Sequence, residues 1–371
     1  MALVAERVLG DRITDGLVIV KDGHTAPTQR ITLAEAGHPV PDARGEAAAL
    51  EILRRVKGTA AEEVVLFLIS GGGSALTPAP APPVTLAEKQ ETTRLLLAAG
   101  ATINELNAVR KHLSLFKGGQ LARAAAPAAV VSLILSDVVG DPLDVIASGP
   151  TAPDRSTFVE ALAVLERRRV ATRVPAAVRE RLTAGADGRI EETPKPGDRL
   201  FERVSNLVIG NNALVVDAAA AEARRLGYRA QLLTRSLEGE AREVARQLVA
   251  RGRTLAPQTC LIAGGETTVT VRGRGRGGRC QEVALAAALE LGTDDALLIL
   301  AAGTDGTDGP TDAAGGIADS GTIARGERAG RRARAALDDN DAYTFLSAAG
   351  DLVRSGPTNT NLLDLYLVLH S

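Results

Sequence analysis

The feature that most narrows the fold is an uninterrupted apolar run, Val64-Val65-Leu66-Phe67-Leu68-Ile69, that ends directly in Ser70-Gly71-Gly72-Gly73-Ser74. Six apolar residues closed by glycine read as a strand buried on both faces, as in a parallel sheet. Similar runs recur at 17–20, 129–135, 207–209, 230–233, 260–263, 268–271, 296–301 and 363–369. Helical patterns at 43–57, 86–99 and 103–113, and others ending near 225 and 251, alternate with them. That alternation predicts an α/β fold. With 371 residues the chain is long enough for about two domains. The polar, turn-rich stretch from about 185 to 200 is the best linker, which divides the chain into 1–198 and 199–371. Residues 2–9 read as an amphipathic helix with no capping side chain, so an upstream element is expected.

Composition removes several classes of function. A formal net charge of -2 argues against a general nucleic-acid coat, and Trp 0, Tyr 3 and Phe 5 leave few platforms for stacked bases. Cys260 and Cys280 are too few for a disulfide framework or a four-ligand zinc site, which fits a reduced, cytoplasmic setting. Glu6 and Arg7 come too early for a signal peptide. The longest apolar tract, near 121–135, is interrupted by Arg123, Pro127 and Ser132, so no membrane role is expected.

The informative residues follow the strands, where open α/β sheets bind ligands. Ser70, Gly71, Gly72, Gly73 and Ser74 offer backbone N–H groups and two hydroxyls suited to a phosphate or carboxylate. Asn104, Asn107 and Lys111 share one face of a predicted helix, with Arg110 at a slight angle; a solvated face is the plain alternative. Lys117-Gly118-Gly119-Gln120 can open a further helix. Asp137 and Asp141 follow the run at 129–135, a place where Mg²⁺ is held against phosphates, although turn formation also explains them. Glu266 follows Gly264-Gly265. Arg272, Arg274, Arg276 and Arg279 interleave with Gly273, Gly275 and Gly278 in a literal GxGxxG, but the short strand before it reads as part of a hairpin rather than a βαβ unit. Gly303-Thr304-Asp305 and Gly356-Pro357-Thr358 have the composition of turns. Walker A, the protein-kinase motifs, GxSxG and the EF-hand spacing are absent.

In order along nearly the whole chain, these segments resemble the glycerate 2-kinase family with a C-terminal MOFRL domain. The resemblance rests on residues 35–42, 70–74, 104–119 and 136–154. It continues through Gly264-Gly265-Glu266-Thr267, Gly277-Gly278-Arg279-Cys280-Gln281-Glu282, residues 302–309, Gly356-Pro357-Thr358 and Asn361. It implies two domains, an N-terminal Rossmann-like parallel sheet and a C-terminal mixed α/β domain, with the active site in the cleft between them. It implies ATP- and Mg²⁺-dependent phosphorylation of D-glycerate to 2-phosphoglycerate. The partners are then small molecules, glycerate and ATP, and a homo-oligomer is compatible with the sequence. Under that reading Ser70 to Ser74 bind anionic groups. Arg279 is the first choice for the glycerate carboxylate or the transferred phosphoryl group. Lys111 and Lys117 are phosphate contacts, Asn107, Glu266 and Asp305 are polar partners, and Asp137 either holds Mg²⁺ or orients the substrate hydroxyl. Family members usually carry a further N-terminal strand and a turn with a catalytic lysine, to which no residue here corresponds. Two alternatives therefore stand beside the kinase: an NAD(P)H-dependent hydroxypyruvate reductase, a label some relatives carry, and a non-catalytic nucleotide- or glycerate-binding relative.

Overall fold

The computed structural model describes residues 1–293 and 295–371. They form two units, Met1–Ile134 with Pro142–Ile209, and Leu135–Asp141 with Gly210–Ser371.

The first unit runs α1 (Ala2–Leu9), β1 (Leu17–Lys21), β2 (Thr32–Ala36), α2 (Ala43–Val56), β3 (Val64–Ile69), α3 (Gly73–Leu76), α4 (Leu86–Ala98), α5 (Ile103–His112) and α6 (Gln120–Ala125). It continues with β4 (Ala129–Leu135), α7 (Phe158–Arg167), α8 (Ala176–Ala186) and β5 (Val204–Gly210), of which Leu135 and Gly210 fall in the second unit. The expected parallel pairing is present, divided between a two-stranded sheet, β1-β2, and a three-stranded one, β3-β4-β5. β2 lacks the β-branched run that marks a strand, and the sequence pattern does not reveal it.

Capping explains where the helices of this unit begin. Thr85 with Glu88, Thr102 with Glu105 and Thr157 with Glu160 form reciprocal capping boxes at α4, α5 and α7. Each such cap is worth roughly 1 kcal/mol. Met1 gives α1 no side-chain cap. Leu95, Leu96, Leu106, Val109, Phe158, Leu165, Val178 and Leu182 form the core under α4, α5, α7 and α8.

Two sequence expectations are corrected here. β3 is not buried on both faces: only Ile69 is fully buried and Val64 is exposed, because β3 is an edge strand of a three-stranded sheet. The run at 207–209 lies in β5, which joins the sheet of β3 and β4 instead of opening a new one. The turn-rich stretch before it is fastened down: Thr193 Oγ1 donates to Asp154 at 2.9 Å, and Asp154 N donates to Pro194 O at 2.8 Å.

The second unit runs α9 (Asn212–Arg225), β6 (Arg229–Glu240), α10 (Ala241–Gly252), β7 (Thr259–Thr268), α11 (Arg279–Glu290) and β8 (Leu297–Gly303). Then come β9 (Gly315–Ala318), α12 (Thr322–Arg328), α13 (Ala333–Asp338), α14 (Ala342–Ala349), β10 (Leu352–Val353) and β11 (Asp364–His370). The sheet order is β10-β9-β8-β11-β7-β6, with β6-β7 parallel and the other pairs antiparallel. The mixed sheet follows from β11 entering between β7 and β8. Its register sets Asp364 opposite both Gly265 and Gly303, so three of the expected clusters share one sheet edge. Gly265 has φ +150°, and a Cβ there would strike the Leu237 backbone, so β6 and β7 can approach at this point only through glycine.

The expected hairpin at 268–271 does not form. β7 ends at Thr268, and the Arg-Gly run is a loop whose backbone donates to acceptors elsewhere in the unit: Arg272 N to Asn340 Oδ1, Arg274 N to Asp339 Oδ1 and Arg276 N to Asp341 Oδ1. Among the described residues no helix is long and apolar enough to cross a membrane.

Candidate active site

The candidate residues gather into two clusters, one in each unit. In the first unit β3 delivers the chain into the glycine loop. Gly72 takes φ +82°, and a Cβ on it would come within 3.0 Å of the His38 ring. The loop then starts the short helix α3, which carries Ser74.

Ser74 is the meeting point. Arg110 Nη2 donates to its Oγ at 2.5 Å, and Lys117 Nζ donates to its Oγ at 3.0 Å and to its carbonyl at 2.7 Å. Ser148 Oγ lies 2.9 Å from Ser74 Oγ and donates to Asn107 Oδ1 at 3.1 Å. Arg110 arises in the last turn of α5, where the helix dipole favours a cation. Lys117 is fully buried. Burial, with Arg110 and Lys89 nearby, lowers its ammonium well below the usual lysine range. Among the described residues neither cation is hydrogen-bonded to a carboxylate.

Lys111 differs. It is equally buried, but its Nζ lies 3.3 Å from Asp144 Oδ2 and 3.2 Å from Asp154 Oδ1. Burial raises Asp154, but Lys111, Ser156 and His112 outweigh it and hold the carboxyl below its ordinary value. Lys111 is thus paired with two carboxylates, whereas Lys117 is hydrogen-bonded to Ser74. The solvated-face reading of α5 fails for Asn107 and Lys111, which are 4% and 3% exposed. Asn107 Nδ2 is buried with no hydrogen-bond partner among the described residues.

In the second unit Arg279 opens α11. Its Nε and Nη2 donate to Asp364 Oδ2 and Oδ1 at 2.6 and 2.9 Å, and its Nη1 donates to Glu266 Oε1 at 2.5 Å. These bonds engage three of the five guanidinium N–H groups and leave two for a ligand. Burial lowers Arg279, but Asp364 and Glu266 outweigh it, so the guanidinium is held more firmly protonated than usual. Tyr366 Oη donates to Asp364 Oδ2 at 3.0 Å and fixes that carboxylate from behind. Burial raises Glu266, and Asp364, Asp137 and Glu238 add to this against Arg279. Asp137 thereby belongs with Glu266, inside the 135–141 segment of this unit.

Asp305 sits at the same sheet edge, but its carboxylate accepts from Thr307 N and Oγ1 at 2.9 and 3.0 Å, so it holds its own turn. Asp308 accepts from Cys280 N and Gln281 N at 3.2 and 2.8 Å, capping α11 from another loop. Burial pushes its carboxyl up to about 7. Among the described residues no group of three or more His, Cys, Asp or Glu side chains forms a metal cage. Mg²⁺, however, usually needs only one or two carboxylates beside substrate phosphates. Asp137 and Glu266 fit that requirement: burial first, and then Asp364, Asp137 and Glu238, raise Glu266, and a cation would oppose that rise.

Sequence reasoning passed over Asp364 and Lys89, gave Asp308 a place in its turn but no role, and gave Arg110 only a passing place. Lys89 had a local signal: it shares a helix face with Thr92 and Leu96, so a charge stood on an apolar stripe. Asp364 had none, since it lies 85 residues from Arg279.

Residues 1–183 match a family described only as a domain of unknown function, DUF4147, and residues 259–364 match the MOFRL family. The chain is 44% identical to the D-glycerate 2-kinase of Thermotoga maritima, over 100% of this chain and 87% of that one. It is 38% identical to human glycerate kinase, over 99% and 82%. It is 40% identical to a putative hydroxypyruvate reductase of Agrobacterium vitis, over 100% and 84%. A crystal structure of glycerate kinase from Thermotoga maritima superposes with a TM-score of 0.92 at 43% identity, covering 100% of this chain and 88% of that one.

Proposed function

This chain belongs to the glycerate 2-kinase family, and we infer that it transfers the γ-phosphoryl group of ATP to the 2-hydroxyl of D-glycerate. Both substrates are anions, and the reaction is mainly a matter of positioning them and stabilising charge. The observation that carries the reading is the pair of basic side chains on Ser74, the half-buried Arg110 and the buried Lys117, held on serine oxygens and on no carboxylate among the described residues. Buried charge without a counter-charge is costly unless a ligand supplies one.

We assign Ser70, Gly71, Gly72, Gly73 and Ser74, with Arg110 and Lys117, to an anionic group of ATP or glycerate. Arg279 offers its two remaining N–H groups to a carboxylate or phosphoryl oxygen, while Asp364 and Glu266 keep the guanidinium in place. Asp137 either orients the 2-hydroxyl, accepting its proton as the new O–P bond forms and the bond to the bridging oxygen of ADP breaks, or joins Glu266 in holding Mg²⁺. Bound Mg²⁺ would neutralise phosphate charge there. Asn107 and Lys111 support the Ser74 site from behind, and Asp305 shapes the loop at the Arg279 edge.

The reductase reading needs a glycine turn inside a βαβ unit. Gly273 to Gly278 lie in a loop whose backbone is anchored on residues 339–341, which does not suit a dinucleotide. The test is a paired assay: ADP release with ATP and D-glycerate, and loss of NAD(P)H absorbance with hydroxypyruvate. ADP release alone is expected. Absorbance loss without ADP release would replace the kinase reading by the reductase, and ligand binding with no turnover of either pair would leave a binding protein.

A further inference from the structure

Lys89 lies on α4 beside Thr92, Leu95 and Leu96, and all four are buried. Its Nζ has no hydrogen-bond partner among the described residues. Helix α4 packs on α5 and α8. The charges that bear on Lys89 are Arg110 from α5, Glu46 from α2 and Arg181 from α8. Lys117, just beyond α5, is influenced by Lys89 in turn. Four basic side chains therefore influence one another here, with one carboxylate among the charges that bear on Lys89. Packing alone does not call for an ammonium here, because a methionine would fill similar volume without the cost of burying a charge. Lys111 shows what a structural lysine looks like in this unit: it sits between two carboxylates.

Building on the assignment of the Ser74 site to a substrate anion, we propose that Lys89 is its third cation, taking up a proton as a carboxylate or phosphate group enters beside Arg110 and Lys117. Burial lowers Lys89 to about 7; Arg110 and Arg181 add to this, and Glu46 opposes it. An incoming anion raises it again. Below that pH Lys89 already carries its charge, and binding changes no protonation. Above it the neutral amine must gain a proton on binding, so affinity falls as pH rises, by up to about tenfold per unit for one linked proton. Lys117 is also lowered, so the titrating lysine has to be assigned by substitution.

The experiment is calorimetric titration of the full chain with D-glycerate and, separately, with metal-free ADP. It is run near pH 6 and near pH 8 in buffers of different ionisation enthalpy. Wild type should take up a proton with one of the two ligands at the higher pH and not at the lower. The glycerate arm identifies a carboxylate site and the ADP arm a phosphate site. Lys89→Met should lose about tenfold or more in affinity in that arm at the lower pH, lose the proton uptake, and melt no lower than wild type. Lys89→Arg should bind at the lower pH like wild type, without proton uptake. The proposal is overturned if wild type takes up no proton in either arm, if Lys89→Met keeps both affinity and uptake, or if only Lys117→Met abolishes the uptake. Binding is measured without turnover, so a chain that takes up the proton but phosphorylates no glycerate would overturn the kinase reading and leave this one standing.

Discussion

Around Ser74, Arg110 and Lys117 face serine oxygens, whereas Arg279 in the second unit is flanked by two carboxylates. Each region puts cations at strand ends, yet their electrostatics are opposite. The first carries surplus positive charge that a ligand must balance. In the second, Arg279 is already paired with Asp364 and Glu266, and burial, with Asp364, Asp137 and Glu238 nearby, raises Glu266. The first kind of site gains affinity from its incomplete pairing. The second gains orientation, since a guanidinium held bidentate cannot swing to meet its ligand. Anion affinity should therefore depend chiefly on the first region, and turnover on the second.

The largest test of this contrast is Arg279→Ala. Turnover of glycerate should fall at least ~100-fold, because a desolvated, charge-assisted contact is worth about 3 kcal/mol. The melting temperature should fall too, because Asp364, 1% exposed at its side chain, is left without its partner. Adding Asp364→Asn should recover stability and not activity. Steady-state rates near wild type with the fold intact would break the comparison.

A second pair sets Lys111→Met against Lys117→Met. Loss of Lys111 strands Asp154, which is fully buried, and should destabilise the first unit by about 3 kcal/mol or more. Loss of Lys117 strands no carboxylate and should leave stability near wild type while weakening anion binding. Denaturant melts and ligand titrations on both variants decide it, and a reversed outcome would mean that the two lysines have been assigned the wrong way round.

Asp137→Asn sharpens the second region. If Asp137 and Glu266 hold Mg²⁺, the concentration needed for half-maximal rate should rise several-fold with little change in melting temperature. An unchanged magnesium titration with lowered turnover would assign Asp137 to the substrate hydroxyl instead.

The smallest effect concerns acid stability of the first unit. Burial raises Glu192, but bonds from His112 Nε2, Phe158 N and Lys195 outweigh it and bring the carboxyl from 4.5 to about 2. A carboxyl lowered on folding adds stability above its unfolded value and loses it as pH falls from 4.5 toward 2. Glu192→Gln should cost under about 1 kcal/mol at neutral pH, given its partial exposure. The difference from wild type should vanish near the lower limit. A constant difference at every pH would remove the charge from the explanation.

Much of the fold and part of the site could be read from local pattern. Apolar runs that end in serine or glycine marked β3, β4 and β7, and Thr-x-x-Glu caps mark the starts of α4, α5 and α7, because these signals act within a few residues. Gly277-Gly278 before a helical pattern placed Arg279 at the start of α11. Other assignments needed the folded chain. β3 reads like a central strand and lies at an edge, since the width of a sheet is not written in any one strand. Lys111 and Lys117 look alike in sequence. They differ because Asp144 and Asp154, 33 and 43 residues away from Lys111, come to rest on Lys111 and not on Lys117. Local composition determined that cations stand in the last turn of α5 and just after it, and the tertiary structure alone decided which of them is neutralised, because counter-ions separated by tens of residues meet only when packing brings their elements together.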